Sequence, residues 1–155
     1  MSKSKGIPQT IFFDVGHTLV TGADQSPRRL LGSRLGLSEK ETRKIGQLIM
    51  THPSEELTSL VKAISDTLPG KDADQISSVI EMVWQEQISC VREISGATIL
   101  LKALKEQGHK LGVISNIWHP FYQGFCQTCS EMARLLDYRI LSYRAGFKKP
   151  SYNLY

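Results

Sequence analysis

Asp14 ends the apolar run "TIFFD" (10–14), and "VGHTLV" follows it directly. A carboxylate at the end of a buried strand can attack phosphorus or carbon as a nucleophile, or it can simply cap the next turn. Its position alone leaves both readings open. Gly16 allows a sharp turn here and leaves its carbonyl available. A second apolar run, "KLGVIS" (110–115), ends on the polar pair Ser115 and Asn116. In open parallel sheets ligands bind beyond the carboxyl ends of the strands, so Asp14 and the Ser115–Asn116 pair are expected to share one crevice.

The elements that must position these residues are uneven in kind. "TIFFD" and "KLGVIS" are short, rich in β-branched and aromatic residues and apolar on both faces, as strands inside a parallel sheet are. "GATILLKALKEQG" sets Ala97, Leu100, Leu101 and Leu104 at helical spacing, with Gly108 as the stop. A weaker strand, "YRILS" (138–142), follows the helical "SEMARLLD". This alternation predicts an α/β sheet. Between the first two strands the pattern is helical throughout. Ser26 with Pro27, and Ser38 with Glu41 as a capping box, mark helix starts. Apolar stripes at 57, 60, 61 and 64 and at 76, 79, 80, 83 and 84 mark helix faces. The expected division is a core of residues 1–21 and 96–155 with a helical insert of 22–95 as a cap.

Composition narrows the class. The 155 residues are 41% apolar and 22% charged, which suits one globular domain with a modest insert. The basic start "MSKSKGIPQ" is followed by an apolar stretch that Asp14 cuts short of a secretory leader, and no run reaches the ~18 apolar residues of a membrane span. Three cysteines, an odd number, do not make a disulfide framework, so a cytoplasmic, soluble protein without a membrane partner is expected. A formal charge of +4 suits an anionic ligand but decides nothing alone.

Together, these residues resemble the haloacid dehalogenase (HAD) superfamily of hydrolases. "FFDVGHTLV" is similar to its first motif, with Asp14 as nucleophile, Thr18 at the fourth place after it and Leu19 next. "LGVISN" is similar to its second, ending on Ser115, and "SYRAGFKKP" to its third, with Lys149 before Pro150. The resemblance spans essentially the whole chain. It implies a Rossmann-like α/β core with a parallel sheet and an inserted α-helical cap that closes over substrate. It also implies that Asp14 attacks a phosphomonoester, that Ser115 hydrogen-bonds a phosphoryl oxygen and that Lys149 offsets charge. Mg²⁺ would be held by the Asp14 carboxylate and the Gly16 carbonyl, and the substrate would be a small phosphorylated or other anionic metabolite. His17, Thr18, Asn116 and Trp118 are the candidate substrate-binding residues.

Two departures qualify the expectation. Phosphatases of the family usually carry a second Asp where this chain has Gly16, and its dehalogenase branch, whose Asp attacks carbon without a metal, also lacks that Asp. The family's fourth motif, an acidic cluster on a further strand, has no counterpart before Tyr155. The chain is therefore expected to be a truncated form, with weak metal binding, an unpaired edge at "TIFFD" and a tendency to self-associate. A third reading is a non-catalytic product that only binds a ligand or partner. Other features have plain alternatives. His17 can donate a proton or be an ordinary loop histidine. Trp118 can line the pocket or pack beneath the cap. "CQTC" (126–129) lacks the companion ligands of a zinc site. Arg139, Arg144, Lys148 and Lys149 form a solvated face rather than a nucleic-acid site, since no matching fold motif accompanies them.

Overall fold

The computed structural model describes residues 7–154; the basic stretch 1–6 and Tyr155 lie outside them. Three parallel strands form the main sheet: β1 (Thr10–Phe13), β4 (Lys110–Ser115) and β5 (Tyr138–Leu141), in the order β1-β4-β5. Phe13 pairs with Val113 and Ser115 with Leu141, so all three strands end along one rim. Helices α5 (Ala97–Glu106), α6 (His119–Thr128) and α7 (Ser130–Leu135) connect them. Leu101, Leu111, Val113, Phe125 and Met132 form a core around the sheet. Expected and observed elements agree, except that Ser142 leaves the third strand and opens the short helix α8 (Ser142–Ala145).

The long insert folds as α1 (Pro27–Arg34), α2 (Glu39–Thr51), α3 (Leu57–Thr67) and α4 (Ala73–Ser89) around its own apolar cluster. Ile45, Ile49, Ile64 and Ile80 are buried there, each worth about 1.5 to 3 kcal/mol by apolar transfer. The Ser38–Glu41 capping box forms as expected: the Glu41 N–H donates to Ser38 Oγ (3.3 Å) and the Ser38 N–H to Glu41 Oε2 (2.8 Å). Ser26 does precede α1, with Pro27 in the first helical turn, but its side chain makes no cap bond. Asp72 caps α4, accepting from the Gln75 N–H at 2.7 Å.

The chain enters and leaves the insert through a small antiparallel ribbon, β2 (Val20–Thr21) with β3 (Arg92–Glu93). Beyond the ribbon, α4 lies on α6, and Gly124 permits that approach because a Cβ there would strike the Ile88 carbonyl. Glu55, between α2 and α3, accepts a hydrogen bond from Arg144 Nε of α8 at 2.7 Å, and Arg144 Nη2 lies 2.6 Å from the same carboxylate oxygen as an ion pair. Among the described residues no helix is long and apolar enough to cross a membrane.

Candidate active site

Three sequence-predicted residues converge at the rim of the sheet. Asp14 follows β1, Ser115 ends the adjacent β4, and Lys149 arrives on the segment after α8. Ser115 Oγ donates to Asp14 Oδ1 at 2.6 Å, and the Val15 N–H donates to the same oxygen at 2.8 Å. Lys149 Nζ donates to Asp14 Oδ2 at 2.5 Å and to the Ile114 carbonyl at 2.9 Å. Lys149 is held in turn by Asn116, whose Oδ1 accepts from the Lys149 N–H (2.7 Å) and whose Nδ2 donates to the Lys149 carbonyl (3.3 Å). Asn116, expected to touch substrate, thus also fixes the backbone that carries the lysine.

Opposing effects act on the Asp14 carboxyl. Partial burial raises its pKa, but the hydrogen bonds from Lys149, Ser115 and Val15 and the Lys149 charge together outweigh burial and hold it below the usual carboxylate value. Asp14 is therefore ionised at neutral pH.

In the turn after Asp14 the left-handed position belongs to His17 (φ 58), and the His17 N–H closes the turn on the Val20 carbonyl at 2.7 Å. Gly16 has open space where a Cβ would stand, and among the described residues its carbonyl accepts no hydrogen bond.

Next to the three residues lies a cleft of about 930 Å³ between the sheet rim and the insert. Gly16, His17, Asn116, Trp118 and Lys148 line it from the core side. Thr18 is exposed but lies outside this lining. Trp118 unites the two expectations for it: it lines the cleft, yet it is 1% exposed, stands 6.0 Å from Trp84 edge-on and donates from its indole to Gln87 Oε1 at 3.2 Å. The basic residues of the expected solvated face separate: Lys149 pairs with Asp14, Arg144 with Glu55, and Lys148 turns to the cleft. From the insert come Arg28, Arg29, Arg43 and Gln87, which the sequence reading did not select. They stand on three different helices, so no local spacing marks them as one group.

The donors suit Mg²⁺ only in part. One carboxylate and one carbonyl are the hard oxygen ligands this cation takes, and it commonly completes its shell with water and phosphate oxygens. Among the described residues no group of three His, Cys, Asp or Glu side chains is placed to hold a metal.

No protein-family model matches the chain, and no curated protein matches it. Its fold does match solved structures. A HAD family enzyme from Bacteroides thetaiotaomicron superposes with a TM-score of 0.62 at 15% identity, over 96% of this chain and 75% of that one. A complex of a HAD family enzyme from the same organism with magnesium and inorganic phosphate gives 0.59 at 14% identity, over 94% and 74%. A predicted phosphoglycolate phosphatase from Haemophilus somnus gives 0.50 at 16%, over 96% and 68%. With its parallel sheet, its helical insert after the first strand and its Asp, Ser and Lys at one rim, the chain has the fold of the HAD-like hydrolases.

Proposed function

We propose that the chain is a Mg²⁺-dependent phosphatase of small phosphomonoesters that works through an aspartyl-phosphate on Asp14. The observation that carries this reading is the ionised Asp14 carboxylate, held between Ser115 Oγ and Lys149 Nζ beside a cleft rich in cations. Oδ1 already accepts two hydrogen bonds, whereas among the described residues Oδ2 accepts that of Lys149 alone, so Oδ2 keeps a lone pair for attack. As the Oδ2–phosphorus bond forms, the ester oxygen leaves with the electron pair of the broken bond and takes a proton from water. A second water then attacks phosphorus, giving up its proton as inorganic phosphate departs and the carboxylate is restored. The Lys149 ammonium and the Ser115 hydroxyl stabilise the negative charge that collects on the phosphoryl oxygens. Mg²⁺, held by the Asp14 carboxylate and the Gly16 carbonyl, would neutralise phosphoryl charge. Residues 22–95 serve as the cap that excludes water, and the cytoplasm is the compartment consistent with three unpaired thiols.

The test is phosphate release from an aryl phosphate with Mg²⁺ present. Asp14→Asn removes the attacking charge at almost constant shape, so turnover should fall by orders of magnitude while the far-ultraviolet dichroism is unchanged. Wild-type rates in that variant would refute the role of Asp14. Chelation should abolish turnover. Gly16, standing where phosphatases of the family carry a second Asp, favours one competing reading, attack on carbon. Turnover of a halo-acid in the presence of chelator would establish that reading instead.

A further inference from the structure

The cleft is much larger than a phosphoryl group, and its charge is one-sided. Arg28, Arg29, Arg43 and Lys148 line it, against Asp24 as the one carboxylate in the lining. Resting on the phosphatase reading above, we propose that the substrate carries a second anionic group, a carboxylate or a further phosphate, held by Arg28 and Arg43 on the insert side of the cleft.

Three observations support this. First, α2 turns a single face to the cleft: Arg43, Gly46, Gln47 and Met50 all line it, at the i, i+3, i+4, i+7 spacing of one helical stripe. Second, Gly46 in the middle of that stripe makes room for Arg28. A Cβ there would lie 2.9 Å from Arg28 Cδ and 3.0 Å from its Cβ, so the Arg28 stem rests directly on the helix backbone, one turn from Arg43. A helix-interior glycine is unfavourable relative to alanine, and here its small size lets an arginine from another helix join the row. Third, the guanidinium groups are poorly compensated. Among the described residues no carboxylate lies within 4.0 Å of Arg28, and the Arg43–Glu39 pair, at 3.4 Å, is exposed at both ends and worth little. Like charges gathered at a concave wall without counter-charge favour an anion.

The same wall holds an unmet donor. Gln87 is 2% exposed and lines the cleft; the Trp118 indole, which can only donate, fixes its Oε1, and Nε2 is left without an acceptor among the described residues. A cleft of this volume accommodates a metabolite with two separated anionic groups.

The experiment compares 4-carboxyphenyl phosphate with phenyl phosphate by kcat/KM. The wild type should prefer the carboxylated ester by about tenfold, the scale of a charge-assisted guanidinium contact. Arg43→Gln and Arg28→Gln should each bring the ratio close to one, Arg43→Lys should keep part of it, and Gly46→Ala, by displacing the Arg28 stem, should lower it. Arg43 is exposed, so its replacement leaves folding intact, which a melting curve verifies. Calorimetric binding of the matching non-hydrolysable phosphonates separates this inference from the one it rests on. A preference in binding without turnover would refute the phosphatase reading and keep the anion site. Equal affinity for the two phosphonates, or a preference that survives Arg43→Gln, would overturn the anion site.

Discussion

The charge state of Asp14 is set by a balance that one neighbour controls. Burial works to raise its pKa, and Lys149 is the largest influence working to lower it. With a folded-state pKa below the unfolded value of about 3.9, the group contributes stability above that value and loses it as pH falls through the lower folded one. Lys149→Met should therefore move the Asp14 titration upward, read from the pH dependence of its carboxyl carbon resonance. An unchanged midpoint would show that burial and Ser115 alone fix the charge. At this scale the meeting of Asp14 and Ser115 was legible because each closes a buried strand, whereas Lys149 was reached only through the resemblance of "SYRAGFKKP" to a family motif. The turn was less so: nothing in "VGHTLV" marks His17 as the residue that takes the positive φ. The cleft arginines were not legible at all, because long charged side chains on a helix read as solvated until the opposing wall is known.

Helices and strands depend on a few cross-links, of which Asp137, just before β5, is the most connected. Its Oδ2 accepts from Lys105 of α5 (2.8 Å) and from the Leu111 N–H of β4 (2.8 Å), and its Oδ1 from Lys110 (3.4 Å). The Lys105 hydrogen bond first, then that of Leu111, pull its pKa down to about 2. Because the folded value is depressed, this stabilisation is complete above the unfolded pKa of about 3.9 and disappears as pH falls through about 2. Asp137→Asn should cost on the order of 1 to 2 kcal/mol at neutral pH, and the gap between variant and wild-type melting temperatures should narrow from pH 5 to pH 2. A gap independent of pH would assign the effect to shape rather than charge. The helices of the insert were legible from apolar stripes and the Ser38–Glu41 box, which are local signals. The β2–β3 ribbon was not: two residues per strand carry no periodicity, and their pairing joins positions about seventy residues apart.

For the whole molecule, two apolar clusters meet rather than stand apart. Trp118, from the loop after β4, is buried in the cluster of the insert, and Phe121 of α6 packs against both. The stripes predicted each cluster separately, but their junction needed the three-dimensional position of a residue that the sequence left undecided between pocket and core. The opposite side of the sheet is less covered. Phe12 is 45% exposed and Tyr138 46%, their rings 6.2 Å apart, with Gly112 beneath Phe12. β1 is an outer strand of the described sheet, and Thr10–Phe13 contains no charge and no proline, the devices that usually keep an edge strand from pairing with another chain. An edge of this kind is open to pairing with a further strand, and in a solution of the 155-residue chain alone the strand on offer is that of a second copy, which would cover the two rings. Light scattering across a hundredfold range of concentration should show the weight-average mass rising toward twice 17.4 kDa. Phe12→Lys places a charge on the strand and removes one of the two rings, so it should hold the chain at monomer mass with its helical dichroism retained. A wild-type chain that stays monomeric over the whole range would refute the pairing. If Phe12→Lys dimerises as strongly as the wild type, the contact lies elsewhere on the surface.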